Sequence, residues 1–207
     1  MGRVTTPSLI FHRGFVSATE VNSGKKQRLA FERFRDVRGR LSLLIATALG
    51  AGLIPKAPGT MGALVGLPLA WGTADLALPL RAGIAAFLLG IGTWASHEWE
   101  RRAQGGGDDQ RIVIDEVMGL YVTSLPLSSH SGVGAWIAAF ALFRFFDIVK
   151  PPPVGAIDRW SKASAKAAAL RGASSSWAGA FGVMADDLVA GFQGLLVVFL
   201  LGKANIL

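Results

Sequence analysis

Six apolar runs separated by short polar breaks occupy most of the chain after residue 40. None of them alternates apolar and polar residues as a half-buried strand would, and their lengths favour helices. Several contain only about 14–16 apolar residues, fewer than the ~20 that cross a bilayer, so the number of spanning helices stays open. The runs are residues 41–54, 61–80, 82–96, 112–127, 132–149 and 188–201. We therefore predict an all-α fold, a compact helical bundle that is embedded in a membrane or docked on one.

The overall composition supports a membrane protein and excludes several kinds of site. Hydrophobic residues make up 51% of the chain and charged residues only 17%, whereas an ordinary soluble domain has about 25% charged residues. The chain has no cysteine, which excludes disulfides, thiolate nucleophiles and zinc–thiolate sites. Its three histidines are scattered, so we do not expect a metal site built from histidine.

Positive charge is concentrated at the N-terminus. Residues 1–40 contain nine Lys and Arg against three acids, and the remaining residues contain twelve against eleven. We predict that residues 1–40 form a basic, flexible cytoplasmic tail, because positive segments stay inside and are attracted to anionic lipid bilayers. Residues 41–207 then form a helical domain with a C-terminal membrane helix at 188–201. No recognition-helix pattern follows the tail, and we predict no binding to nucleic acid.

Acidic residues recur at the ends of the apolar runs in the second half of the chain. Carboxylates at membrane depth are costly, so each is a functional-site hypothesis. The structural alternatives are acids that favour a helix N-terminus and ion pairs between residues three apart. The eight acids after Gly105 fall into four groups, Asp108–Asp109, Asp115–Glu116, Asp147 with Asp158, and Asp186–Asp187.

A polar loop in the first half of the chain has the features of an anion site. Pro55 and Pro58 stiffen this loop, and Lys56 supplies a cation. Gly59 and Thr60 precede a predicted helix, whose free N–H groups can bind an anion. A plain connection between two helices is the alternative interpretation.

Acids and bases also share one predicted helix face further along the chain. Arg144, Asp147 and Lys150 are three residues apart, and Asp158 follows after a proline-rich loop. Carboxylates are preferred ligands of hard cations such as Mg²⁺, which commonly bridge to phosphate. Together with the polar loop, these residues predict metal-assisted phosphoryl chemistry. A small membrane transporter or channel is the alternative, and it would distribute its carboxylates along a pore instead of collecting them at one interface.

The chain resembles the phosphatidylglycerophosphatase A family from about residue 44 to its end. The resemblance lies in four motifs, "PKAPGTMGALVGLPL" (55–69), "D-x6-DEVMG" (108–119), "FRFFDIVKPPPVGAIDR" (143–159) and "GVMADDLVAG" (182–191). It implies an all-α, Mg²⁺-dependent lipid phosphatase of the bacterial cytoplasmic (inner) membrane, with its active site facing the cytoplasm. The implied reaction hydrolyses phosphatidylglycerophosphate to phosphatidylglycerol and phosphate, a step of phospholipid biosynthesis.

The resemblance also implies a set of site residues. The implied catalytic carboxylates are Asp115, Glu116, Asp147, Asp158, Asp186 and Asp187. The implied Mg²⁺ ligands are Asp108, Asp115, Glu116, Asp186 and Asp187, while Asp147 and Asp158 either complete the metal shell or act as general base. We expect the substrate phosphate to be bound by Lys56, Pro58, Gly59, Thr60, Arg144, Lys150 and Arg159. The chain departs from the family pattern at Asp109, where the family has proline, and at Ala63, where it has serine.

Overall fold

The computed structural model describes residues 33–103, 109–171 and 176–206, and every regular element in these ranges is a helix. The predicted all-α fold is therefore confirmed. A short 3-10 turn, Ala51–Leu53, precedes the second of seven α-helices in the described ranges. The α-helices are α1 (Val37–Ala46), α2 (Pro58–Gly72), α3 (Leu78–Ala103), α4 (Ile114–Thr123), α5 (Val133–Val149), α6 (Val154–Leu170) and α7 (Trp177–Lys203).

Helix α4 lies at the centre of the bundle and packs against α2, α3, α5 and α7. Eight of its ten residues are buried, including Met118, Leu120 and Tyr121. The other two are Asp115 and Glu116 in its first turn. The core helix therefore presents its only two carboxylates at one of its ends.

Two glycines let α4 and α7 approach each other closely. A Cβ atom on Gly191 would lie 2.6 Å from the carbonyl oxygen of Gly119, and a Cβ atom on Gly119 would collide with the ring of Phe143. Small residues at a helix crossing allow this kind of backbone contact. Because α4 and α7 meet here, Asp115 and Glu116 at the start of α4 lie close to Asp187 on α7.

Helices α2 to α5 alternate in direction, so that their functional segments meet at one end of the bundle. Helices α2 and α4 begin at this end, and α3 and α5 finish there. We call it the site end. The opposite end contains the connections 73–77 and 124–132.

Two of the helices are long and apolar enough to cross a membrane by length and composition, Leu78–Arg102 and Trp177–Lys203. Large apolar side chains are exposed on both, among them Phe87 on α3 and Phe192 and Leu196 on α7. Apolar surface of this extent is typical of protein that contacts lipid or a partner. The protein associates with a membrane, and the predicted C-terminal membrane segment 188–201 lies within α7.

The folded domain begins before residue 40, the boundary that we expected from charge. Helix α1 starts at Val37, and Phe34 is buried against Trp99 with ring centroids 5.0 Å apart. The Asp36 carboxylate also pairs with Arg102, whose Nη1 lies 2.5 Å from Asp36 Oδ1. Residues 1–32 lie outside the described residues, so the flexible tail stays a prediction.

Candidate active site

A cavity of about 1320 Å³ opens at the site end, larger than the ~300–1,000 Å³ of most small-molecule pockets. All six predicted catalytic carboxylates line it, namely Asp115, Glu116, Asp147, Asp158, Asp186 and Asp187. They come from four helices that are far apart in the sequence. The acids are thus collected in one place, which is the arrangement expected of a phosphatase and not of a transport pathway.

Three of these carboxylates form a tight cluster. Asp115, Glu116 and Asp187 each offer an oxygen atom, and these oxygens all lie within 4.8 Å of one another. Glu116 Oε2 is buried without a hydrogen-bond partner in the described part of the chain. Three acids this close repel one another unless protons or a cation offset their charge. Oxygen donors and an unpartnered buried oxygen fit a hard divalent cation such as Mg²⁺.

The surroundings of α4 raise the pKa values of its two acids. Burial is the main cause for Asp115, whose pKa lies well above its ordinary value, and the neighbouring charges of Glu116 and Asp186 add to the effect. Burial also raises the pKa of Glu116 to about 7, with Asp187 and Asp147 contributing and Arg144 opposing. Near neutral pH, the cluster therefore retains protons unless a cation replaces them.

A lysine holds two further carboxylates together beside this cluster. Lys150 Nζ lies 2.5 Å from Asp158 Oδ1 and 2.7 Å from Asp186 Oδ2. Burial alone would lower the pKa of Lys150, but the two carboxylates outweigh it and raise that pKa above its usual range. Burial would likewise raise the pKa of Asp158, yet Lys150 and Lys162 hold it below its ordinary value. Asp186 is thus engaged by a cation.

Arg144 reaches the cavity from α5 and lies between two acids. Its Nη1 is 2.6 Å from Asp147 Oδ2 and 3.9 Å from Glu116 Oε1. This nitrogen is buried and is not aligned as a hydrogen-bond donor to any described residue. A guanidinium held in this way can donate to a phosphate oxygen in the cavity.

The start of α2 packs directly on this part of the site. A Cβ atom on Gly59 would collide with Glu116 Oε1 and would lie 3.1 Å from Arg144 Nη1. The residue before the helix, Ala57, has a left-handed backbone with φ 50°. Pro58 and Gly59 line the cavity, so the predicted polar loop does reach the site.

The structure does not bring every predicted residue into the cavity. Lys56, Thr60 and Arg159 are described but do not line it, and Lys56 and Arg159 are exposed to solvent. Asp108 lies outside the described residues. Its neighbour Asp109 pairs with Arg111, whose Nη2 is 2.6 Å from Asp109 Oδ2, and accepts a hydrogen bond from Trp99.

Two lysines that sequence reasoning missed line the cavity from α6. Lys162 and Lys166 follow Asp158 at intervals of four residues, a spacing that places all three on one helix face. Lys162 Nζ lies 3.0 Å from Asp158 Oδ2. The signal was available, because the segment 161–170 is amphipathic, but its lysines alone resemble an ordinary solvated face.

Comparisons with known proteins agree on one family. The family model described as phosphatidylglycerophosphatase A matches residues 44–202. A protein named phosphatidylglycerophosphatase A from Escherichia coli is 30% identical to this chain, over 82% of this chain and 92% of its own length. A protein of the same name from Haemophilus influenzae is 34% identical, over 75% of this chain and 85% of its own length. A Bacteroides thetaiotaomicron protein provisionally named phosphatidylinositol-3-phosphatase is 32% identical over 76% of this chain and 91% of its own. No solved structure matches.

Proposed function

The chain belongs to the phosphatidylglycerophosphatase A family, and we propose that the carboxylate-lined cavity is where it removes the terminal phosphate of phosphatidylglycerophosphate. The reaction leaves phosphatidylglycerol and inorganic phosphate, so the protein is a lipid phosphatase of phospholipid synthesis. We assign the reaction to this cavity because six carboxylates line it together with Arg144 and Lys150, at one end of a membrane-associated bundle.

We assign Asp115, Glu116 and Asp187 as ligands of Mg²⁺. Support comes from the 4.8 Å cluster of their oxygens and from the unpartnered Glu116 Oε2. When bound, Mg²⁺ supplies positive charge that offsets both the carboxylates and the phosphate and lowers the pKa of water. Asp186, predicted as a further ligand, is assigned instead to holding Lys150, because its Oδ2 is 2.7 Å from Lys150 Nζ.

The chain's own cations bind and orient the phosphate in this proposal. Arg144 donates from Nη1, which is close to Asp147 but forms no aligned hydrogen bond in the described structure. Lys150 remains charged because two carboxylates flank it. Asp147 and Asp158 position these cations. Asp158 is poorly suited to act as general base, since its lowered pKa makes it a weak proton acceptor.

The proposed site faces the cytoplasm from the inner membrane. Basic side chains such as Arg101, Arg102 and Lys150 lie at the site end. At the opposite end, Arg81 is buried and donates to four backbone carbonyls, those of Ala74, Ser124, Leu125 and Leu127. Membrane proteins retain their positive ends inside. A cytoplasmic site also fits a lipid whose headgroup is assembled there.

Phosphate release from phosphatidylglycerophosphate in mixed micelles tests the proposal. The purified protein should release phosphate with Mg²⁺ and lose this activity in a chelator, and Glu116→Gln and Asp187→Asn should each lower kcat by at least a hundredfold. Asp75→Asn is the matched control, because Asp75 lies at the opposite end and accepts a hydrogen bond from the Ser129 amide. Full activity in a chelator would refute the metal assignment, and unchanged kcat in both cluster variants would refute the assignment of the cavity.

A further inference from the structure

We propose that Lys162 and Lys166 form a second anion subsite, which binds the phosphodiester of the substrate while its phosphomonoester lies beside Arg144. The inference rests on the proposed function and adds the means by which the site selects its lipid. Both lysines line the same cavity as the carboxylate cluster. Neither belongs to the residues that the family motifs single out.

The position of the lysines along α6 extends the site away from the cluster. Asp158, Lys162 and Lys166 occupy one helix face, and four residues of helix span about 6 Å. Lys150 contacts Asp158, and Asp158 in turn contacts Lys162. A continuous row of charged groups therefore runs from the carboxylate cluster along the cavity wall to Lys166.

Lys166 differs from the other cations of the site because it has no ion-pair partner among the described residues. Arg144, Lys150 and Lys162 each lie within 4 Å of a carboxylate oxygen. No ion pair joins Lys166 to an acid of the described residues, and its side chain is exposed on the cavity wall. A cation without a described acidic partner, on the wall of a cavity proposed for an anionic substrate, is suited to bind a second negative group.

The chemistry of the substrate provides that group. Phosphatidylglycerophosphate has a phosphomonoester, which is removed, and a phosphodiester, which remains and is joined to it by glycerol. A lipid with a phosphomonoester alone, such as phosphatidic acid, lacks the second group. A subsite for the diester would thus favour lipids that carry both groups.

Steady-state kinetics with a short-chain, monomeric phosphatidylglycerophosphate test the subsite without a bilayer. Lys166→Gln should raise KM about tenfold, as expected for one charged contact, with kcat within twofold of the wild type. The inhibition constant of inorganic phosphate, which lacks a diester, should be the same for Lys166→Gln as for the wild type. The inhibition constant of short-chain phosphatidylglycerol, which keeps the diester, should be higher for Lys166→Gln. Lys166→Arg should restore most of the affinity.

Arg171→Gln is the matched control for overall charge. Arg171 follows α6 directly and donates to the Ala167 carbonyl, but it does not line the cavity, so its loss should leave KM unchanged. Equal effects of Lys166→Gln and Arg171→Gln would overturn the subsite. If Lys166→Gln raises KM only for substrate in anionic vesicles and not for the monomeric lipid, the subsite is overturned and Lys166 instead docks the protein on the bilayer. If the wild type is inactive on this lipid, the proposed function itself is refuted. If the wild type is active and Lys166→Gln leaves its KM unchanged, only the subsite is refuted.

Discussion

Replacing Glu116 by glutamine should abolish activity and yet stabilise the metal-free protein. Glu116 is largely buried beside Asp115 and Asp187, and its pKa is raised from 4.5 to about 7. The folded protein therefore binds this proton more tightly than the unfolded chain does. Its contribution to stability is complete below the unfolded pKa and is lost as the pH rises through the folded pKa.

The size of the effect follows from the shift in pKa. A change from 4.5 to about 7 corresponds to roughly 3 kcal/mol at pH 8, since each pKa unit is about 1.4 kcal/mol. Glutamine has nearly the same shape and does not ionise, so it avoids this cost. For a chain of this size the gain amounts to an increase of roughly 10 °C in the unfolding midpoint.

Thermal unfolding in detergent with a chelator, at pH 5 and at pH 8, measures the difference. We expect Glu116→Gln to be more stable than the wild type at pH 8 and nearly equal to it at pH 5. Asp75→Asn is the control, because the hydrogen bonds from Ser129 lower the pKa of Asp75 and its loss should bring no gain. A Glu116→Gln variant that is no more stable at pH 8, or that gains equally at both pH values, would refute the argument.

Four further predictions concern the same site. Mg²⁺ should stabilise the wild type more at pH 8 than at pH 5, as measured by unfolding midpoints, because protons compete for Glu116 at low pH; a pH-independent shift would contradict this. Gly59→Ala should lower kcat at least tenfold by displacing Glu116, while Gly72→Ala in the same helix, where a Cβ atom meets open space, should leave kcat unchanged. Lys150→Met should destabilise the fold by about 1–3 kcal/mol in denaturant unfolding, since it leaves the Asp186 carboxylate without its cation while Asp158 keeps Lys162. Lys56→Ala should change neither stability nor KM, and a higher KM would show that Lys56 reaches the substrate.

The fold class and the composition of the site could be predicted because both depend on strong local patterns. Apolar runs of this length without strand alternation favour helices. Carboxylates at the ends of such runs are costly, so each indicates a functional site. The sequence therefore predicts Asp115, Glu116, Asp186 and Asp187 as one group, and the structure brings oxygens of Asp115, Glu116 and Asp187 within 4.8 Å of one another. The resemblance to the family further implies that the segments containing these acids form one site.

The pairing inside the site could not be predicted, because it depends on distances between segments that are remote in the sequence. Asp186 and Asp187 are neighbours, but α7 turns one toward Lys150 and the other toward the α4 acids. Membership of a motif likewise does not decide where a side chain points, as the exposed Lys56 illustrates. Lys166 is the opposite case, because it lies outside the family motifs and yet lines the cavity. Its position there depends on how α6 packs, which the sequence pattern does not reveal.

The contact between Gly119 and Gly191 has a consequence for how the protein can vary. Because backbone meets backbone there, the separation of α4 from α7 at this crossing is set mainly by the two main chains. Leucines and valines elsewhere in these helices can exchange during evolution while the spacing of Asp115 from Asp187 is kept. A Cβ atom at Gly191 would press on the Gly119 backbone, and one at Gly119 would press on the Phe143 ring and the Asp187 carbonyl. The outcome we expect is a folded protein that no longer binds the proposed Mg²⁺.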